Sequence, residues 1–130
     1  MSEVVIPDPL PANGFKVPLR ATFTGPKSAP LVALSHNSMF PLLKLYNDSV
    51  EFRVFIQRRK SYTDIERVEI ARSFLTDNVI FVWKDSVFTF TANVSGEKIL
   101  QELARFLQRH GVPLAESAQQ VVNERVKSNE

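Results

Sequence analysis

Short segments in which apolar and polar residues alternate recur along this 130-residue chain, and they constrain its fold more than any other feature. The clearest segment spans residues 50–57, with apolar residues at Val50, Phe52, Val54 and Ile56. Successive side chains of a strand point to opposite faces, so this spacing predicts a strand with one buried face. Segments of this kind, together with short apolar runs, predict seven strands, at 15–23, 31–35, 42–46, 50–57, 65–71, 78–83 and 87–92.

The connection between the strands at 50–57 and 65–71 is polar and ends at Asp64. An Asp in this place can accept backbone N–H groups of the turn that it closes, while the following Ile65 packs beneath the sheet. In the next strand Glu66, Val68 and Ile70 share one face, and Ile65 does not belong to it. This predicts a β-bulge near Glu66 and Arg67.

The spacing of apolar residues changes after the last strand. Over residues 97–110 they recur at intervals of three and four, which predicts an amphipathic helix. Its apolar positions are Ile99, Leu100, Leu103, Phe106 and Leu107. Ser95 is the predicted N-cap, and Gly111 followed by Pro113 predicts the end of the helix. Residues 113–130 are predicted to form a polar tail or a marginal helix.

Seven of the eight prolines lie within the first 41 residues. Pro7, Pro9 and Pro11, followed by a turn at 13–14, predict an extended N-terminal arm over residues 1–14. The arm is interpreted either as a disordered tail or as a segment that docks on a partner or on its own domain. Pro18 cannot donate a hydrogen bond to a neighbouring strand, so it predicts that the strand at 15–23 lies at a sheet edge.

Composition limits the domain count and the classes of function. With 44% hydrophobic and 23% charged residues, the chain can form one domain, predicted at 15–112. It has no cysteine, which excludes thiol chemistry and disulfides, and its net charge of +2 is too small to predict nucleic-acid binding. No leader and no membrane-spanning apolar run is recognisable, so we expect a soluble, cytoplasmic protein.

Residues with catalytic chemistry are few. The two histidines, His36 and His110, have no ligand-spaced partners for a metal ion. A Ser35–His36 pair would point to opposite faces of a strand, and the four glycines are too scattered for a phosphate-binding loop. The sequence therefore predicts a protein that is not an enzyme and has no cofactor.

The basic triplet Arg58-Arg59-Lys60 is the polar feature that stands out most, and it is predicted at a loop tip. At a membrane surface each cation contributes on the order of 1 kcal/mol of attraction to anionic lipid headgroups. The other interpretation of the triplet is a solvated loop that protects a strand from edge-to-edge pairing.

A candidate protein interface comes from two other features. Phe55 shares its parity with Arg53 and Gln57, so it is predicted on the polar face of its strand. There it could contact a partner, a second copy of the chain or the N-terminal arm. The arm's Pro7, Pro9 and Pro11 are the remaining candidate contacts.

Two sequence stretches carry a resemblance to a known family. Residues 45–52 are similar to the second-to-third strand hairpin of the pleckstrin-homology-like superfamily, including its bacterial and GRAM-type members. Residues 62–68 resemble the entry to that family's fourth strand, and the hairpin at 79–92 followed by a helix agrees with its order of elements. The resemblance implies a mainly β (α+β) fold: a barrel of about seven antiparallel strands in two near-orthogonal sheets, capped by one C-terminal amphipathic helix.

The resemblance also bears on function. Lipid-binding members typically hold the headgroup with basic residues around the first strand-to-strand loop and on the second strand. Here that loop, residues 24–30, offers only Lys27, and the predicted second strand offers none. The resemblance thus implies Lys27 as a further candidate contact for an anionic ligand. We therefore expect a non-enzymatic interaction module that binds a protein partner or self-associates. The alternative is peripheral binding to anionic membrane lipids through Arg58, Arg59 and Lys60.

Overall fold

The computed structural model describes residues 6–29, 35–37, 39–54, 56–72 and 76–124, with backbone alone for 35–37. These residues contain nine strands, two α-helices and a 3-10 turn at Tyr62–Asp64. The strands are β1 (Phe15–Lys16), β2 (Leu19–Pro26), β3 (Ser35–Asn37), β4 (Leu42–Leu45), β5 (Ser49–Arg53), β6 (Gln57–Ser61), β7 (Ile65–Arg72), β8 (Asp77–Trp83) and β9 (Phe88–Val94). The helices are α1 (Glu97–Arg109) and α2 (Glu116–Asn123).

The strands form two antiparallel sheets. The first has the order β1-β4-β5-β6, and the second has the order β3-β2-β9-β8-β7. This confirms the mainly β fold in two antiparallel sheets that is followed by an amphipathic helix. Among the described strands no pairing joins one sheet to the other, so the expected closed barrel is not formed.

The predicted first strand is divided between the sheets. Pro18 separates β1, which pairs with β4 at the edge of the first sheet, from β2, which lies between β3 and β9 in the second. The edge prediction therefore holds for β1 and is wrong for β2. Proline interrupts the hydrogen-bond ladder, and the chain uses that interruption to pass from one sheet to the other.

The predicted strand at 50–57 is also wrong at its end. β5 stops at Arg53, which pairs with Gln57, the first residue of β6. The chain therefore reverses direction between Arg53 and Gln57. Ile56, an apolar residue that continues the alternation, is 66% exposed in this turn instead of buried in a strand. The predicted strand at 31–35 lies almost wholly outside the described residues.

The core lies between the two sheets and beneath α1. Phe81 and Phe90 of the second sheet, Leu43 and Leu45 of the first, and Phe106 of α1 are all at most 2% exposed. The five predicted apolar positions of α1 are buried, which confirms the amphipathic helix. Burying each side chain of this size stabilises the fold by about 1.5–3 kcal/mol.

The ends of α1 agree only partly with the prediction. The helix starts after Gly96, at φ 123°, so the N-cap is not Ser95, and no side-chain cap is formed. Gly111 has a φ of 78°, which confirms the left-handed stop.

The turn before β7 has the predicted construction. The Asp64 carboxylate accepts the Ser61 N–H at 3.2 Å, and Ser61 and Asp64 form a capping box. The Ser61 hydroxyl also accepts the Thr63 N–H at 3.2 Å. Ile65 is fully buried. The register of β7 against β8 shifts between Ile65 and Arg67, which confirms the bulge.

The C-terminal segment covers the outer edge of β7. The Val68 N–H donates to the Pro113 carbonyl at 2.9 Å, and the Ala115 N–H donates to the Val68 carbonyl at 2.9 Å. The Ile70 N–H donates to the Ser117 hydroxyl at 3.0 Å. The predicted tail or marginal helix is thus an eight-residue helix, α2, preceded by a segment that pairs with the sheet.

The described part of the N-terminal arm docks on its own domain. Ile6 and Leu10 are buried, and the Ile6 N–H donates to Glu102 Oε1 at 2.7 Å. The Asn47 side chain accepts the Leu10 N–H at 3.0 Å and donates to the Leu10 carbonyl at 3.3 Å. Asp8 forms an ion pair with Arg109 at 2.9 Å. Of the two interpretations, these contacts favour the docked segment for residues 6–10.

Gly14, at the end of the arm, lies in a left-handed conformation (φ 85°) against β4. A Cβ here would be 3.0 Å from Lys44 Cε and Tyr46 Cε1 and 3.1 Å from the Leu45 carbonyl oxygen. We expect Gly14→Ala to lower the free energy of unfolding by about 1–2 kcal/mol in urea denaturation. In Gly111→Ala the φ is also positive but no described atom lies within 4 Å of the new Cβ, so its loss should be smaller. Equal losses would contradict the role of the close approach.

Candidate functional site

An open cleft of about 530 Å³ lies between the two sheets, at the end away from α1. The turn after β5, the strand β6 and the hairpin between β8 and β9 form its sides, and Thr24 of β2 lies at its far end. The helix α1 follows the last residue of β9, whereas the cleft is lined by the first residues of that strand. The helix therefore closes one end of the core and leaves the other end open.

Aromatic rings form the floor of the cleft. The Phe52 ring of β5 stacks on the Trp83 ring of β8, with centroids 5.0 Å apart and planes at 17°. Phe52 also contacts Phe90 of β9, at 4.6 Å between centroids. Such pairs contribute about 0.5–1.5 kcal/mol beyond their buried area. The two sheets are thus held together directly beneath the cleft, which gives it a rigid apolar base.

Two large apolar side chains at the cleft are exposed to solvent. Ile56 is 66% exposed and Phe88 is 49% exposed, and both line the cleft. The neighbouring Val87 is 69% exposed. Ile56 and Phe88 thus offer exposed apolar side chains at one cleft, where they are suited to contact with another molecule.

Two cations lie at the β6 side of the cleft. Arg58 and Lys60 share one face of β6, because they are two residues apart in a strand. Lys60 Nζ is 2.7 Å from Asp85 Oδ1 and 5.1 Å from the centroid of the Trp83 ring. The Arg58 side chain has no hydrogen bond or ion pair to any other described residue, and it is exposed. Arg58 is therefore the cation at this cleft that is available to an external anion.

The third member of the basic triplet, Arg59, points to the opposite face. Its guanidinium lies 3.8 Å from the centroid of the Tyr46 ring, and its Nε donates to the Ser49 hydroxyl at 2.8 Å. A longer contact of 3.7 Å joins it to Asp48. The prediction of a loop tip is wrong: the triplet lies in β6, and strand alternation sends its side chains to two faces.

Lys27 also has a partner of its own. Its Nζ is 2.8 Å from Glu66 Oε1, and each side chain is about one-third exposed. The hydrogen bond from Lys27 lowers the pKa of Glu66, and the charge of Arg67 acts in the same direction. The structure therefore does not place the Lys27 side chain beside Arg58 and Lys60 in the cleft.

Of the candidate protein contacts, the structure describes Pro7, Pro9 and Pro11. Phe55 lies outside the described residues. Pro7 is half-buried, Pro9 and Pro11 are exposed, and the described polar contacts of residues 6–10 are with α1 and Asn47. None of these contacts lines the cleft.

The described residues offer no cluster of three or more metal-ligating side chains. The His110 ring is tilted by 30° against the Phe106 ring, with centroids 4.1 Å apart, and His110 Nε2 is 3.9 Å from Asp8 Oδ1. These contacts hold His110 at the end of α1. Of the described helices, none is long and apolar enough to cross a bilayer.

Sequence reasoning identified the cations but missed the cleft. The continuous apolar run at 79–83 contains Trp83, and Phe52 belongs to the clearest alternating segment. Each of these patterns predicts a buried strand and nothing more. Ile56 and Phe88 give no separate signal, since each continues the alternation of a predicted strand.

Comparison with known proteins assigns no family to this fold. No protein-family model matches the chain, and no curated protein sequence matches it. The resemblance to the pleckstrin-homology-like superfamily therefore stays a hypothesis.

The ion pair at the rim gives a testable pH effect. The hydrogen bond and charge of Lys60 hold the pKa of Asp85 below its ordinary value. The pair therefore stabilises the fold above the ordinary pKa of Asp85, and this contribution is lost as pH falls through the lower, folded value. In an NMR titration, Lys60→Met should raise the pKa of Asp85. Lys84→Met, which removes a nearby exposed cation, should leave it in place; an unchanged pKa in Lys60→Met would contradict the assignment.

Proposed function

We propose that this chain is a non-enzymatic interaction module, pleckstrin-homology-like in fold, that binds an acidic and apolar segment of a partner protein in the cleft. The observation that carries the proposal is the juxtaposition of Arg58, whose side chain has no partner among the described residues, with Ile56 and Phe88 above an aromatic floor. A ligand that presents a carboxylate next to a large apolar side chain matches both features.

The size and surface of the cleft support an apolar contact. Its 530 Å³ falls within the roughly 300–1,000 Å³ of ligand pockets in proteins. Phe52, Trp83 and Phe90 line its floor, and Ile56 and Phe88 would lose their exposure when the cleft is filled. Burying one Leu or Phe of a partner there contributes about 1.5–3 kcal/mol.

The division of the basic triplet favours a protein segment over a membrane surface. Arg59 contacts Tyr46 and Ser49 on the outer face, and Lys60 is paired with Asp85. A flat anionic membrane would need several free cations on one face, since each contributes only on the order of 1 kcal/mol. Arg58 alone is suited to a single carboxylate inside a concave site.

The charge of β6 favours a different protein over a second copy of this chain. If two copies paired through β6, the residues Arg58, Arg59 and Lys60 of one would lie against the same residues of the other. Like charges on directly opposed strand residues are destabilising. We therefore propose a different protein, acidic at the contact, and not a second copy of this chain.

The test uses Trp83, the only tryptophan of the chain, as a reporter in the cleft floor. The probe is the blocked peptide Thr-Glu-Thr-Leu-Thr-Glu-Thr, in which Glu and Leu share one face of an extended chain. We expect a saturable change in Trp83 emission. Arg58→Glu should weaken binding at least tenfold, a loss of about 1.4 kcal/mol.

Arg59→Glu is the matched control, because it makes the same change in net charge on the opposite face of β6. It should bind the peptide within about threefold of the unchanged protein. No response of Trp83 to the peptide would contradict the proposal. Equal losses in both variants, together with a Trp83 response to phosphatidylserine vesicles, would replace it with membrane binding.

A further inference from the structure

We infer that the partner segment is held as an added strand along the free edge of β6. This inference rests on the proposed function, since it concerns how the same cleft holds its ligand. An extended peptide that joins a sheet edge gains backbone hydrogen bonds, and its alternate side chains enter the neighbouring pocket. Both requirements are met at β6.

The first requirement is an uncovered edge. Among the described strands, β6 pairs with β5 alone. The corresponding outer strand of the second sheet, β7, is covered by the segment around Pro113 and Ala115, which bonds to Val68 on both sides. The other edge strand of the first sheet, β1, is only two residues long. The five-residue β6 therefore offers the longest uncovered edge of the first sheet.

The second requirement is that backbone groups of β6 point outward. The Tyr62 N–H donates to the Asp48 carbonyl at 3.4 Å, immediately before the Ser49–Ser61 pair. In an antiparallel ladder, hydrogen-bonded pairs alternate with non-bonded pairs. The backbone hydrogen bonds between β5 and β6 are consequently made by the pairs Val50–Lys60 and Phe52–Arg58. The N–H and carbonyl groups of Gln57 and Arg59 point away from β5, toward the free edge.

The side chains of the added strand follow from this register. Residues opposite Arg58 and Lys60 share the face of those residues, so they point into the cleft. An acidic residue opposite Arg58 would meet its guanidinium. A large apolar residue two positions away on the same face would lie over Ile56 and the aromatic floor. The ligand class is thus an extended segment in which an acidic and a large apolar residue are separated by one residue.

The same register determines which backbone groups of the ligand form hydrogen bonds with β6. Residues opposite Gln57 and Arg59 exchange hydrogen bonds with them, and their side chains lie on the outer face. In the peptide Thr-Glu-Thr-Leu-Thr-Glu-Thr these are the Thr residues, whereas the Glu and Leu residues enter the cleft. The N–H groups of Thr should therefore be essential, and those of Glu and Leu should not.

Two N-methylated isomers of the peptide separate these roles. One carries methyl groups on the nitrogens of the two Thr residues that flank Leu, and the other carries them on Leu and one Glu. We expect the first isomer to bind at least tenfold more weakly than the unmodified peptide and the second to bind within about threefold. Equal affinities of the two isomers, or a greater loss in the second, would overturn the added strand.

Amide hydrogen exchange in the complex gives a second measurement. The amides of Gln57 and Arg59 should become protected when the peptide binds, whereas those of Arg58 and Lys60, already bonded to β5, should change little. Unchanged exchange at Gln57 and Arg59 would also overturn the inference. In either case the proposed function still stands if the unmodified peptide binds and depends on Arg58; if that peptide does not bind at all, the proposed function fails first.

Discussion

Phe81→Ala is expected to lower the free energy of unfolding by about 3–5 kcal/mol, as is typical for a fully buried Phe. Phe81 has no exposed surface, and its ring contacts those of Trp83 and Phe90 at 5.8 Å between centroids. Removing it leaves a cavity behind the floor of the cleft. Since single domains are stable by only about 5–15 kcal/mol, this one change removes a large part of the total.

The matched control is Phe88→Ala, in the next strand of the same sheet. Phe88 is 49% exposed, so its removal should cost less than about 1 kcal/mol. Guanidinium denaturation followed by Trp83 fluorescence and by far-ultraviolet circular dichroism measures both variants. Losses of similar size in the two variants would show that the core does not lie where the burial of Phe81 places it.

Val121→Asp is expected to release α2 from α1 and β7. Val121 is 2% exposed, so a carboxylate at its place would lose most of its hydration on burial. Losing the buried faces of Val121 and Ala118 should lower the free energy of unfolding by at least about 2 kcal/mol. The β7 edge would then be uncovered, and uncovered edges promote association between chains.

Hydrogen exchange tests this release directly. The amides of Val68, Ile70 and Ala115 are bonded across the contact between β7 and the C-terminal segment, so all three should lose protection in Val121→Asp. Gln120→Asp adds the same charge at an exposed position of α2 and should leave the three amides protected. Retained protection in Val121→Asp would mean that the segment stays paired without the helix.

The features that sequence alone could predict are those fixed by neighbours in the chain. The apolar spacing from Ile99 to Leu107 determines which face of α1 is buried, because helix geometry repeats every 3.6 residues. The capping box at Ser61 and Asp64 and the bulge after Ile65 are likewise local. In each case the residues that make the contact lie within about three positions of one another.

The β5–β6 turn could not be predicted in this way. Residues 54–56 contain no Gly, Pro, Asn or Asp, so no residue there favours a turn, and Ile56 continues the alternation of the preceding strand. The turn is set by pairing between strands, in which Arg53 lies opposite Gln57. The same error placed Arg58 and its neighbours in a loop.

The cleft was beyond sequence reasoning for a related reason. Its floor combines Phe52 and Trp83 from two sheets, 31 positions apart in the chain, and its rim adds Arg58 and Phe88. Each residue has an ordinary local explanation as a core or surface position. The site exists because the two sheets meet at one end of the core and α1 closes the other.

The division of the first strand at Pro18 also determines when the protein can fold during synthesis. The pairing of β2 with β9 joins Leu19 to Val94 and Pro26 to Phe88. During synthesis β2 is therefore made early, and its partner β9 is made more than sixty residues later. Contacts between such distant positions slow folding. The meanders β4-β5-β6 and β7-β8-β9 can form from near neighbours, but the second sheet is complete only after residue 94 has emerged. Until then the edge of β2 that pairs with β9 has no partner. At this stage of synthesis the nascent chain is most open to association with other chains.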